Sequence, residues 1–212
     1  MEQMPPNPLF IYHMTNIDNL PSIAQTGFLL SHNLLNANKL AHTNIAYEQA
    51  QNRRHRTLVP CYPFGTLHDY IPFYFAPRSP MLYTINKGNV TGYSGGQKDI
   101  VYLVSTLASI CEAKGNYVFT DGHPLSAPSC RFFNSLIQLG EVDWNVMRAR
   151  YWNTPPIVKY KRQAEFLIHN LLSFNVITQI VVCNQESKHK VKQILRANGQ
   201  LQSVTAFSDW YF

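Results

Sequence analysis

Lys161-Arg162-Gln163-Ala164-Glu165-Phe166-Leu167-Ile168 sets a single carboxylate, Glu165, where a basic, aromatic-rich segment runs into an apolar strand. Just upstream lie Arg148, Arg150, Tyr151, Trp152, Lys159 and Tyr160, side chains suited to gripping phosphates and stacking the bases of a single nucleic-acid strand. The same composition also describes a solvated connector, and the stretch alone does not separate the two readings. Working outward, the run Asn153-Thr154-Pro155-Pro156-Ile157-Val158-Lys159-Tyr160 is expected to resist regular structure, because paired prolines remove two amide donors and fix their dihedrals. A loop from Trp152 to Lys161 is therefore expected to deliver Glu165. Gln163 faces the same way as Glu165 if the segment is extended.

Further out, short strands alternate with short helices. Phe10 to His13 reads as a strand, and Asn16 caps a helix through Ile17, Leu20, Ile23 and Ala24 toward Gly27, against which Pro21 counts. Residues from about Asn44 to Arg56 have helical composition and end in Arg53-Arg54-His55-Arg56. Pro72 to Phe75 reads as a strand, and Ser79-Pro80 opens a helix through Met81, Leu82 and Ile85. Ile100 to Val104 is the clearest buried strand; a helix through Leu107, Ile110 and Cys111 and a strand at Tyr117 to Thr120 follow. A helix is expected from Phe132 to Leu139, strands at Phe166 to Ile168 and Thr178 to Val182, a helix from about Ser187 to Arg196, and a last strand near Val204 to Phe212. With no repeated βαβ unit and no internal repeat, the pattern favours an α+β fold with two small, mainly antiparallel sheets.

The chain has 212 residues, of which 45% are hydrophobic, enough for one substantial core and consistent with a single domain over 1–212. A net charge of +6 favours a polyanionic partner, although the cations are spread along the sequence. Cys61, Cys111, Cys130 and Cys183 form no CxxC pair, which argues against a zinc ribbon or a disulfide scaffold and suits a reducing, cytoplasmic location. Polar Glu2, Gln3 and Asn7 stand where a signal peptide needs a basic and then an apolar run, and no segment has the length to cross a bilayer, so no membrane is expected.

No GxGxxG follows a strand and no GxxxxGK[ST] is present, which argues against a Rossmann or P-loop nucleotide site. The HxE and PCxxC signature of zinc deaminases is missing, and Asp69, Asp99, Asp121 and Glu165 have no compact metal-binding spacing, so no metal is expected and a nuclease is disfavoured. His13, beside Tyr12 and near Thr15, could bond ribose hydroxyls, although a lone strand histidine is more often a satisfied core residue. Cys130 with His123 could form a nucleophilic pair, against which each has a simpler structural explanation. Arg53 and Arg54 would ordinarily be a solvated helix end; their guanidinium forks equally suit pyrophosphate or base carbonyls.

Several ordered motifs together resemble one family, the DarT-type DNA ADP-ribosyltransferase toxins, from Leu9 to Phe212. They are Ile11-Tyr12-His13-Met14-Thr15 with Asp18-Asn19-Leu20; Ile45-Ala46-Tyr47 leading to Arg53-Arg54; His68 to Phe75; Arg78-Ser79-Pro80-Met81-Leu82-Tyr83; Gly95-Gly96-Gln97; and Gln163-Ala164-Glu165-Phe166. The resemblance implies an ADP-ribosyltransferase-like fold with helices flanking two small sheets around an NAD cleft. It also implies NAD as co-substrate and transfer of ADP-ribose to a thymine base in single-stranded DNA. By the same resemblance Glu165 and Arg54 are catalytic, His13, Thr15, Asn19 and Arg54 hold NAD, and Tyr70 or Tyr74 covers nicotinamide. Gln163 would reach toward the acceptor. The segment from about Asp121 to Arg162 would hold DNA through His123, Arg131, Arg150, Tyr151, Trp152 and Lys159. A macrodomain antitoxin is the implied protein partner. The rival expectations are an inert single-strand nucleic-acid binder, and a transferase acting on RNA or protein.

Overall fold

The computed structural model describes residues 4–126 and 129–212. In chain order the elements are β1 (Phe10–Asn16), α1 (Leu20–Thr26), β2 (Phe28–Leu30), α2 (His32–Ala37), α3 (Glu48–Arg56), β3 (Tyr70–Tyr74) and α4 (Pro80–Asn86). Next come β4 (Ile100–Thr106), α5 (Leu107–Glu112), β5 (Tyr117–Thr120), β6 (Phe132–Phe133), α6 (Trp144–Arg148) and α7 (Pro156–Lys161). The chain continues with β7 (Glu165–His169), β8 (Leu171–Ser173), β9 (Gln179–Val182), α8 (Gln185–Ala197) and β10 (Ser203–Ala206). Local chemistry sets most boundaries. Pro21 falls in the first turn of α1, where an amide donor is dispensable, and Gly27 ends that helix at φ 74°. Ser79 caps α4 by accepting from the Leu82 amide, with Pro80 following.

Eight strands form one sheet in the order β10-β9-β4-β1-β3-β7-β5-β6, and β2 pairs with β8 in a small second sheet. Every pairing is antiparallel except that of β10 with β9. The expected two small sheets are thus fused, but at a thin seam. β1 pairs with β4 along its whole length, from Phe10↔Thr106 to Asn16↔Ile100, and β3 pairs with β7 from Tyr70↔His169 to Tyr74↔Glu165. Between them β1 and β3 share the single register pair Tyr12↔Tyr74. Aromatic side chains fill much of the core beneath the β3 side: Phe75 meets Trp144 edge-on at 5.4 Å, and Tyr117 stacks on Phe166 at 5.0 Å.

Three expected elements differ. The paired prolines start a helix instead of preventing one. Pro155 caps α7 and Pro156 occupies its first turn, so the missing donors fall where a helix has no internal partner for them. The helix expected over Phe132 to Leu139 is a two-residue strand against β5, followed by a 3-10 turn at Leu136–Glu141, because pairing to Phe119 and Thr120 overrides the local apolar spacing. The last strand stops at Ala206, and Ser208–Trp210 form a 3-10 turn that brings Tyr211 back so that its hydroxyl donates to the carbonyls of Ile100 and Val181.

Candidate active site

Glu165 is the first residue of β7 and is 3% exposed. Its backbone amide donates to Thr120 Oγ1 at 3.0 Å, and that hydroxyl donates to the Gly122 carbonyl at 2.8 Å, so the end of β5 fixes where the glutamate leaves its strand. Arg54 reaches it from α3: Nη1 lies 3.1 Å from Oε1 and 3.0 Å from Oε2. Nη2 of the same guanidinium is buried and has no hydrogen-bond partner. Burial raises the Glu165 pKa above the ordinary carboxylate range, and Arg54 opposes that rise without cancelling it.

The pair sits in a cleft that straddles the seam. His13, Thr15, Asn19, Tyr70, Tyr74, Arg54 and Glu165 all line it. This unites every residue expected to bind NAD with both expected catalytic residues. His13 Nδ1 lies 2.8 Å from the Pro72 carbonyl, across the seam from its own strand, and burial holds the imidazole below its usual pKa. If Nδ1 carries the proton for that bond, Nε2 is an acceptor. Asn19 Nδ2 donates to Thr15 Oγ1 at 2.9 Å and to the Thr43 carbonyl at 3.0 Å, while its Oδ1 accepts from the Thr43 amide at 2.7 Å. Asn19 therefore ties the segment around Thr43 over the cleft.

The two tyrosines are not equivalent. Tyr70 is 2% exposed and its hydroxyl donates to the Phe64 carbonyl at 2.5 Å. Tyr74 stands directly opposite Glu165, and its hydroxyl lies near the Ser79 side chain and makes a long 4.0 Å contact with Met81 Sδ. The rest of the wall was not anticipated: His32, His42 and His68 also line the cleft, with the His32 and His68 rings 4.2 Å apart and His68 Nε2 3.0 Å from Gln51 Oε1. Burial, then the neighbouring His32 and Arg54, lowers the His68 pKa to about 4.

The expected DNA-binding residues divide into several groups. His123 is half-buried next to the guanidinia of Arg54 and Arg53. Burial and those charges lower its pKa to about 4, and its Nδ1 is buried without a partner. Gly122 brings this turn against α7, where a Cβ would fall 2.2 Å from the Tyr160 ring, so no larger residue fits without displacement. Arg150, Tyr151 and Lys159 are exposed, Tyr151 at 81%, and neither cation has an ion-pair partner among the described residues. Arg131 is exposed but pairs with Asp121 at 2.7 Å and Glu141 at 2.9 Å. Trp152 is only 5% exposed and packs edge-on against Tyr83 and Phe212, which corrects its expected role as a stacking surface. Gln163 is also corrected. It lies in the turn after α7, not in an extended strand, and its amide folds back to donate to the Lys159 carbonyl at 3.0 Å. Within the expected segment, residues 127 and 128 lie outside the described residues. Cys130 approaches the Gly122 carbonyl, and burial pushes its thiol up to about 12, unlike an activated nucleophile.

No helix among the described residues is long and apolar enough to cross a membrane. Among them, no group of three or more His, Cys, Asp or Glu is placed to hold a metal ion.

Comparison with known proteins gives this geometry its relatives. A curated DNA ADP-ribosyl transferase of Thermus sp. (strain 2.9) is 42% identical over 214 residues, covering 100% of both chains. Solved structures of the Thermus sp. 2.9 protein superpose closely. One in complex with ADP-ribosylated ssDNA has a TM-score of 0.94 at 41% identity, covering 100% of each chain. One in complex with NAD+ has a TM-score of 0.89 at 39% identity, covering 99% of this chain and 100% of that one. A Thermosipho africanus DNA ADP-ribosyl transferase-DNA ADP-ribosyl glycohydrolase fusion protein is 26% identical over 87% of this chain and 45% of its own length. The model of the family described as "ssDNA thymidine ADP-ribosyltransferase, DarT" matches residues 12–212, and the chain belongs to that family.

Proposed function

We propose that this chain transfers ADP-ribose from NAD to a thymine base in single-stranded DNA, within one domain spanning 1–212, with Glu165 as the central catalytic group. The carrying observation is the buried Glu165 carboxylate, held by Arg54 at the floor of a cleft also lined by His13 and Tyr74. Cleavage of the nicotinamide glycosidic bond leaves the electron pair on nicotinamide and positive charge on the ribose carbon. An ionised carboxylate stabilises that charge and accepts a hydrogen bond from the ribose 2-hydroxyl. A ring nitrogen of thymine then captures the ribose carbon and gives up its proton to solvent water.

Arg54 suits the acceptor half of the step. A guanidinium is a poor base, but the free Nη2 can donate to a thymine carbonyl or a phosphate and stabilise negative charge as the ring proton leaves. His13 would hold the NAD ribose and, beside Thr15, Asn19 would shape its wall. Tyr74 is the better nicotinamide cover, since the Tyr70 hydroxyl is already committed to Phe64. His123, Arg150, Tyr151 and Lys159 are proposed DNA contacts, and Arg131 would contribute only by leaving its two carboxylates. Single strands are preferred because in a duplex the pairing edge of thymine is occupied.

The test is purified protein with labelled NAD and matched DNA, RNA and protein acceptors. Label should appear only on thymine-containing DNA, and Glu165→Gln should lower transfer by about a hundredfold to a thousandfold while the protein stays folded. Undiminished transfer by that variant would refute the catalytic role. DNA binding without NAD-dependent labelling would support the inert binder instead. We also propose a toxin role in the cytoplasm, opposed by a macrodomain antitoxin. The Thermosipho fusion, which joins a transferase to a DNA ADP-ribosyl glycohydrolase, supports that pairing.

A further inference from the structure

The hairpin that follows α3 presents apolar side chains to solvent on a well-fixed backbone. Leu58 bridges to Thr66, the Val59 amide donates to the Gly65 carbonyl at 2.9 Å, and the Phe64 amide donates to the Cys61 carbonyl at 2.8 Å. The Asp69 carboxylate accepts from the Thr66 amide at 2.7 Å, and Tyr70, a cleft residue, donates to Phe64. Despite this bracing, Tyr62 is 59% and Phe64 55% exposed, with their rings edge-on 6.3 Å apart. Two neighbouring aromatic rings held in solvent by a braced backbone form the kind of surface on which planar partners stack.

The surroundings select the occupant. α3 carries Arg54 on its cleft side, and its exposed Arg53 and Arg56 line a surface groove with Asn52 and Thr57 at the root of the hairpin. Arg53 donates to the Leu125 carbonyl, which joins this surface to the turn bearing His123. Arg56 has no ion-pair partner among the described residues. Exposed aromatic faces on a hairpin rooted at guanidinia with no carboxylate partner among the described residues complement a chain with exposed bases and regularly spaced phosphates. We propose that Tyr62 and Phe64 stack on bases of the single-stranded DNA flanking the target thymine, with Arg53 and Arg56 holding the intervening phosphates. The strand would thus leave the cleft across α3 as well as along the Arg150–Lys159 side. This deepens the proposed function, on which the identity of the bound strand rests.

The probes are two labelled oligonucleotides carrying one thymine, of roughly four and about sixteen nucleotides, a range that brackets typical single-strand site sizes. Their affinities are read by fluorescence anisotropy without NAD, and ADP-ribose transfer is measured separately. The wild-type protein should bind the longer strand more tightly. Tyr62→Ser with Phe64→Ser should weaken that binding roughly tenfold and leave the short strand unchanged, since both side chains are exposed and outside the cleft. Arg56→Gln alone should flatten the salt dependence of long-strand binding. Unchanged long-strand affinity in the double variant overturns the proposal and leaves a protein partner for the aromatic pair. Equal binding of both strands by the wild type also overturns it. Absence of transfer with the length effect intact counts against the activity and not against this surface.

Discussion

At the residue scale, the position of Glu165 depends on a side chain with no acid-base chemistry of its own. Thr120 Oγ1 accepts from the glutamate's amide and donates to Gly122, so one hydroxyl joins the start of β7 to the turn that carries His123. Thr120 is fully buried, and an isosteric Thr120→Val would leave the Glu165 amide unpaired at the point where the carboxylate is aimed and the Gly122 carbonyl with only the Cys130 thiol. The expected result is a fall in kcat of about tenfold to a hundredfold with KM for NAD nearly unchanged, because small displacements at a reacting centre cost rate before they cost binding. Thr120→Ser keeps the hydroxyl and should restore most of the rate. Equal losses in the valine and serine variants would mean that the methyl contact matters and the hydrogen bonds do not. Nothing in the sequence marks Thr120, which lies 45 residues before Glu165; the glutamate was legible from its own surroundings, its support was not.

At the element scale, the same contrast separates what the sequence carried from what it hid. Ser79-Pro80 located α4, whose start signal is local, whereas the cap expected at Asn16 serves a 3-10 turn at Ile17–Asn19 and Pro21, counted against the first helix, falls in the first turn of α1. The route to Glu165 depended on contacts spread along the chain: buried Arg162 donates to the carbonyls of Val146, Met147, Ala149 and Pro77, tying the ends of α6 and α7 to the segment after β3. That clamp, with the proline start of α7, replaces the loop expected from Pro155-Pro156. The histidine wall is another product of packing between elements. His32 from α2 and His68 from the 3-10 turn before β3 meet in the cleft lining, with His55 of α3 against His68 from outside it, Arg54 adding positive charge and Asp69 partly offsetting it. His68 has a folded pKa of about 4 against an ordinary 6.5, so the unfolded chain binds the proton more readily between those values. Its contribution to stability is therefore complete above about pH 6.5 and declines as pH falls toward 4, by at most roughly 3 kcal/mol. Urea midpoints of the wild type should drop across that interval, and His68→Gln should show a shallower drop. Parallel pH profiles for the two proteins would remove His68 as a source of acid sensitivity.

At the scale of the whole molecule, the eight-stranded sheet behaves as two four-stranded halves held by the Tyr12↔Tyr74 pair and the His13–Pro72 hydrogen bond. The cleft draws His13 and Thr15 from one half and Tyr74 and Glu165 from the other, so a dinucleotide bound there contacts both sides of the weakest pairing in the sheet. Ligand that binds only the folded state stabilises it by mass action, about 2.7 kcal/mol at a hundred times Kd. For a chain of this size that corresponds to a rise in Tm of roughly 5–10 °C. The same linkage makes a local prediction. Hydrogen exchange at β1 and β3 beside the seam should slow on NAD addition more than exchange in the β4–β9 ladder, which is already fully paired. A rise in Tm with uniform protection across both regions would place the ligand outside the seam, and with it would go the idea that joining the two halves assembles His13 and Glu165 into one dinucleotide site.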